Sequence, residues 1–253
     1  HKLCFVPGNK LEDLIDFSYR VIRSRFSDEF MLMNGSYLAS ILGKTPAEIK
    51  LLRAVLPTWI ALIGIAGREL LPDERVAAQE ADIAELAQQF GLYLKPALAG
   101  IKGDAVLAAI TNPAGETDWK DTFKGAYQDI FFTTTLDKTP AMIEAMNQFT
   151  VTAGYPVDEV GIYLQPQNMG TSSHCEFYLP YDSANAKETS RVKGLFEKAS
   201  EGLSAKGAYF LRPYGIWSKI QLNRDAQSML VLKELKKTFD PNGIMNTGKL
   251  SNY

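Results

Sequence analysis

Apolar and polar positions along this chain repeat with two periods, and the switches between them mark its elements. "LCFVPG" at 3–8 reads as a short strand closed by a Pro-Gly turn. Leu11, Leu14, Ile15, Val21 and Ile22 then recur at helical spacing. "FMLMNG" is strand-like, and a polar helix begins near Thr45. "WIALIGIAG" at 59–67 is apolar and β-branched between Pro57 and Gly67, which predicts a strand buried on both sides. Residues 72–90 make a helix, with Pro72 in its first turn, acidic residues at its start, and Val76, Ile83 and Leu86 on one face.

The stretch from 97 to 125 is looser, with scattered Gly, Pro, Asn and Thr predicting loops and one short helix. Order returns with the strand "DIFFTTTL" at 129–136 and a helix at 139–153. The strands "VGIYLQPQ" at 160–167 and "HCEFYLPYD" follow, joined through a Gly-Thr-Ser-Ser turn. A helix from about Ala184 to Ser204 leads to a final strand, "GAYFLRPYG", and a last helix at 221–239 stops at "DPNG".

The second half therefore has the order of a ferredoxin-like split βαβ unit. The first half alternates strand and helix three times. The fold class is α+β: an antiparallel sheet covered by helices on one face. No internal repeat and no low-complexity segment is visible in the sequence.

Composition narrows the picture by exclusion. With 46% hydrophobic and 22% charged residues, the 253-residue chain can bury a core as one large or two ordinary domains. A net charge of −2 with dispersed Lys and Arg gives no nucleic-acid surface. The longest apolar run is strand length, far short of the ~20 residues a membrane span needs. Two cysteines, Cys4 and Cys175, are too few for a disulfide framework, and no signal-peptide pattern is present. Both point to a cytoplasmic location. The chain begins at His1 rather than Met, consistent with a tag remnant or a piece of a longer chain.

Several kinds of chemistry drop out as well. There is no GxGxxG after a strand, no GxxxxGK[ST] and no GxSxG elbow. His174 is the only internal histidine, which disfavours His-based metal sites; no metal is expected. In "HCEFYLPYD", alternation puts His174, Glu176 and Tyr178 on one face and Cys175, Phe177 and Leu179 on the other. A histidine, a carboxylate and a phenol in a row can bind a small substrate or accept its proton. A water-facing sheet shows the same alternation. "YFLRPYG" offers Arg212 and Tyr214 on one face, the arginine being a planar fork for an anion. Trp217 beside it reads as packing. "NTGK" at 246–249 has small residues for close backbone approach, with Lys249 for an anionic or carbonyl group.

Taken together, "FDPNGIMNTGKL" after a helix resembles the carboxy-terminal signature of FAD-linked oxidases of the vanillyl-alcohol oxidase and p-cresol methylhydroxylase family, with Thr247 where proline is usual. "HCEFYLPYD" and "YFLRPYG" resemble two strands of that family in order and spacing. The resemblance covers about residues 130–250 and is loose before that. It implies a substrate-binding cap over 1–215 and a C-terminal helix with a flavin-facing tail over 216–253. FAD would be held mainly by a separate amino-terminal domain or subunit with no counterpart in this chain.

Residue by residue, the resemblance matches His174 to the strand histidine of the family's active-site wall, Arg212 to the residue facing the substrate's anionic end, and Asn246 and Lys249 to the end loop near the flavin, where they are cofactor-binding. Glu176 and Tyr178, on the strand face of His174, join it as catalytic candidates, and Tyr214, on the face of Arg212, joins it as substrate-binding. Leu211 stands where phenol-oxidising members carry tyrosine, which argues against a para-substituted phenol. No HGDGN-like run or metal-binding histidine pair is present, which argues against metal-dependent hydroxy-acid oxidation. The implied function is the substrate-binding part of an FAD-dependent oxidoreductase, acting on a small alcohol, hydroxy acid or aromatic. Its partners would be the flavin domain, the substrate and, from family habit, a second copy. The alternative is a non-catalytic ferredoxin-like module binding a small ligand or partner. A self-sufficient small enzyme is disfavoured for want of any cofactor loop.

Overall fold

The computed structural model describes residues 1–111, 118–212, 214–222 and 224–245. The first half runs β1 (Lys2–Gly8), α1 (Leu11–Arg23), β2 (Glu29–Asn34), α2 (Gly35–Leu42), α3 (Pro46–Val55), β3 (Trp59–Ile65) and α4 (Pro72–Gln89). A small hairpin, β4 (Ala97–Leu98) and β5 (Ile101–Lys102), leads to α5 (Gly103–Thr111) and a 3-10 turn at Trp119–Asp121. The second half is β6 (Ala126–Thr134), α6 (Thr139–Thr152), β7 (Gly161–Gln167), β8 (Ser172–Tyr181) and α7 (Ala186–Ala205). Two helices, α8 (Ile216–Leu222) and α9 (Ala226–Phe239), end the described chain. Among the described residues, no helix is long and apolar enough to cross a membrane.

Six strands form one antiparallel sheet in the order β1-β3-β2-β7-β8-β6, so the fold is α+β as expected. The order is palindromic: each half contributes its first, third and second strand, and the halves meet at β2 and β7. A lone bridge extends each outer edge, Phe5 to Lys95 beside β1 and Thr133 to Tyr209 beside β6. The halves thus share an arrangement that no sequence repeat announces.

Asn34 fastens the seam. Its Nδ2 donates to the Val160 carbonyl at 2.8 Å, and its Oδ1 accepts from Ile162 N at 2.9 Å. The same oxygen accepts from Tyr37 N at 2.9 Å, capping α2.

Helices α1, α4, α6 and α7 cover one sheet face, burying Val6, Phe17, Leu32, Ile63, Ile83, Phe132, Phe177 and Leu195. The opposite face is also covered over the first half, where α2, α3 and α5 bury Phe5, Met33, Ile60, Leu62 and Val106. The composition of β3 requires this second layer. All seven of its residues are buried, and leaving either side open would expose aliphatic surface to water.

Two expectations need correction. "GAYFLRPYG" forms no strand. It pairs with β6 only at Tyr209, whose N–H and carbonyl exchange bonds of 2.9 and 2.8 Å with Thr133. The next residues leave the edge, and Tyr214 N donates back to the Arg212 carbonyl instead. The last helix is two helices: Asp225 accepts from Gln227 N and Ser228 N and starts α9 afresh. The end of α9 follows the sequence reading, since Asp240 accepts from Ile244 N and Met245 N at 2.9 Å and closes a turn at Gly243, φ +64°.

Candidate functional site

The second half of the uncapped sheet face carries a polar cluster. Strand β8 presents His174, Glu176 and Tyr178 to it, while Cys175, Phe177 and Leu179 enter the helix-covered core. The register sets Thr133 beside His174, Phe131 beside Glu176 and Asp129 beside Tyr178 on β6, and Tyr163 beside Glu176 on β7. The pleat therefore gathers six polar side chains and the Phe131 ring within three strands.

At the centre lies a charge cluster not foreseen from the sequence. Lys120, on the 3-10 turn, places Nζ 2.8 Å from Glu176 Oε1 and 2.5 Å from Asp129 Oδ2. Tyr37 Oη donates to the same Glu176 Oε1 at 3.0 Å, and His174 Nε2 lies 3.5 Å from Oε2. The three charged side chains are 13–17% exposed, so their attraction acts in a medium less polar than water. Burial pushes the Glu176 carboxyl up, but hydrogen bonds from His174, Lys120 and Tyr37 and the Lys120 charge outweigh it and hold it at about 2. Asp129 goes the other way, to about 6, through burial and the Glu176 charge, with Lys120 only partly opposing. Lys120 is raised despite burial by its two carboxylates.

Aromatic rings wall the cluster. Tyr37 stacks on Tyr163 at 5.3 Å and 17°, and Trp119 meets Tyr37 edge-on at 5.3 Å. His174 lies between Phe131 and Tyr163, 6.0 Å from each ring centre. Trp217 of α8 packs edge-on against Phe131 at 5.0 Å, and its indole N–H donates to Ser200 Oγ at 2.8 Å. The expectation of packing for Trp217 is met.

The sequence candidates separate in space. His174 and Glu176 sit together at the half-open centre. Tyr178 lies beneath it, fully buried, with its hydroxyl donating to the Lys120 carbonyl at 2.6 Å. Burial raises this phenol well above its ordinary value. Its contacts hold the 3-10 turn that carries Lys120. Arg212 is exposed at the rim with its guanidinium carbon 5.6 Å from the Phe131 ring centre. Among the described residues no carboxylate lies within ion-pair distance of it. Tyr214, 43% exposed, follows on the same loop. Asn246 and Lys249 lie outside the described residues.

Lys120, Asp129 and Tyr37 were missed because they come from three elements remote in sequence from Glu176 on β8. The one available signal was Asp129 opening an otherwise apolar and Thr-rich strand. A separate surface cavity of about 670 Å³, lined by Arg53, Phe123 and Glu159 among others, shares no residue with the cluster.

No family model matches the sequence, and no curated protein does. Solved structures do match in fold. The chain superposes on p-cresol methylhydroxylase with substrate bound at a TM-score of 0.69 and 12% identity, covering 98% of this chain and 52% of that one. It superposes on the isoeugenol complex of 4-ethylphenol oxidase from Gulosibacter chungangensis at 0.70 and 14%, covering 98% and 53%. Alkyldihydroxyacetonephosphate synthase follows at 0.52 and 11%, covering 95% and 42%. At these identities the likeness is one of fold, and the chain spans about half the length of the structures it matches. The structures that share this fold thus include p-cresol methylhydroxylase, one of the two enzymes that name the family resembled by "FDPNGIMNTGKL".

Proposed function

We propose that this chain is the substrate-binding part of an FAD-dependent oxidoreductase, with each half read as a ferredoxin-like unit. The flavin would be held by another polypeptide or domain against the open face of β6, β7 and β8. The observation that carries this reading is the gathering of His174, Glu176 and Arg212 around Phe131 at the margin of the second helix layer, where the His174 side chain stays 23% exposed.

The residues present fit one wall of a flavin site. Phe131 and Tyr163 offer ring surfaces, and two buried oxygens on the β6 side, Asp129 Oδ1 and Thr133 Oγ1, have no hydrogen-bond partner. Among the described residues there is no Gly-rich phosphate loop, so the pyrophosphate belongs to the other component. The chemistry supplied by bound FAD is acceptance of a hydride. In this chain Arg212 anchors the anionic end of a small alcohol, hydroxy acid or aromatic. His174 accepts the proton released from its hydroxyl, and the ionised Glu176 stabilises the resulting imidazolium. Tyr214 borders the Arg212 end and Tyr178 supports the cluster from below; by the resemblance of "FDPNGIMNTGKL", Asn246 and Lys249 would contribute cofactor contacts.

Helix α9 supports a missing partner. It buries none of its residues, and Val231, Leu232, Leu235 and Phe239 fall on one stripe that is 39–75% exposed. A 14-residue helix with no packed face is marginal in water, so this stripe needs cover. The occupant we assign is the flavin-holding polypeptide, which corresponds to the half of the solved oxidases that this chain does not span.

The test is an absorbance and fluorescence titration with FAD, of this chain alone and of the chain co-expressed with the flavin-holding polypeptide. A stoichiometric yellow complex only in the second case is expected. In that complex Arg212→Ala should weaken substrate affinity at least tenfold. Tight FAD binding by the chain alone overturns the division of labour. No flavin in either case would move the assignment to a small-ligand binding module.

A further inference from the structure

We propose that Lys120 is the positioning residue of this site: by clamping Glu176 Oε1 it leaves Oε2 to accept from His174 Nε2–H, which makes Nδ1 the nitrogen that takes up the substrate proton. The inference rests on the functional reading above and extends it to a residue 54 positions away from the histidine.

Its basis is the way the cluster divides the two oxygens of one carboxylate. Oε1 receives Lys120 Nζ at 2.8 Å and Tyr37 Oη at 3.0 Å, and Oε2 faces the imidazole. An ionised carboxylate has no hydrogen to give, so a hydrogen bond at Oε2 requires the proton on Nε2. In the neutral ring the lone pair is then on Nδ1. Nδ1 has no hydrogen-bond partner among the described residues, and it is not among the buried atoms that lack one.

Lys120 also separates two acids that would otherwise repel. Asp129 Oδ2 lies 2.5 Å from its other side. Without the ammonium group, Glu176 and Asp129 would confront each other with little water between them. One would take a proton or turn away, and the imidazole would lose its fixed acceptor. The turn that carries Lys120 is itself fixed at both ends. Asp118 Oδ1 accepts from Lys120 N at 3.1 Å, and the Lys120 carbonyl accepts from Tyr178 Oη at 2.6 Å. That anchoring leaves the side chain one direction, toward the two carboxylates.

The experiment needs neither flavin nor substrate. Long-range proton–nitrogen spectra of the 15N-labelled chain at pH 8.5 report which imidazole nitrogen carries hydrogen. His1, at the terminus, supplies an internal reference. Wild type should show His174 as a single Nε2–H tautomer. Lys120→Met should move its two nitrogen shifts at least halfway toward the averaged values of a free imidazole, and Lys120→Arg should restore the wild-type pattern. If Lys120→Met does not fold, Lys120→Gln, which keeps a donor without the charge, is expected to give the same movement. A folded Lys120→Met or Lys120→Gln chain with an unchanged His174 tautomer overturns the inference, as does an Nδ1–H tautomer in wild type. Either result leaves the flavin titration to judge the functional reading separately.

Discussion

Two carboxylates share the Lys120 ammonium group, and burial acts on them with opposite net results. Glu176, held at about 2, contributes stability that is present above its unfolded value and is lost only as pH falls through about 2. Asp129, raised to about 6, binds its proton more tightly folded than unfolded. Its contribution is full below about pH 4 and is lost as pH rises through 6. Asp129→Asn should therefore remove a decline in stability between pH 4 and 6 of up to about 3 kcal/mol. Urea unfolding of both proteins at pH 4.5 and pH 7 measures it, and an identical pH slope in the variant would show that Asp129 is not the group responsible. At this scale strand alternation made His174 and Glu176 legible, because the pleat alone puts them on one face. It also grouped Tyr178 with them, yet could not show that a 3-10 turn covers that end of the strand.

At the scale of elements, two glycines in α7 make opposite predictions. A Cβ on Gly202 would sit 2.1 Å from Phe149 Cζ of α6, so that α6 and α7 approach closely over a bare backbone. A Cβ on Gly194 would meet nothing within 4 Å. Helix propensity favours alanine at both positions by about 1 kcal/mol. We expect Gly194→Ala to stabilise the chain by about 0.5–1 kcal/mol. Gly202→Ala should destabilise it by about 1–2 kcal/mol, because overpacking outweighs propensity. Thermal unfolding of the pair tests the packing of α6 on α7, and equal shifts would contradict it. The same contrast shows where element reading stops. The start of α3 near Thr45, which caps it, and Pro72 opening α4 are local signals, and both starts were legible. The dissolution of "GAYFLRPYG" into one bridge was decided at the sheet edge, where β6 offers a partner to Tyr209 alone.

Across the whole molecule, helices cover one sheet face along its length and the opposite face over the first half, leaving His174 partly exposed and the stripe of α9 open. Replacing Val231, Leu235 and Phe239 together by Asp should abolish association with the proposed flavin-holding polypeptide. The thermal midpoint of the isolated chain should stay within about 2 °C, since none of the three is buried. Size-exclusion chromatography with light scattering reads the first outcome and calorimetry the second. A complex that survives the triple substitution would place the contact elsewhere, and a large loss of stability would mean that α9 packs against its own chain.

What the sequence by itself determined is what short-range physics controls. Period-2 and period-3.6 patterns placed most strands and helices, caps and prolines began them, and "DPNG" ended α9 through the Asp240 turn. The apolar, β-branched character of "WIALIGI" foretold a buried strand. The tertiary structure alone decided which distant residues meet. Asn34 joins the halves by bonding to Val160 and Ile162, and Lys120 and Tyr37 reach Glu176 across 56 and 139 positions. Such contacts depend on sheet order and register, which many pairings of the same strands could satisfy until burial of both faces selects one.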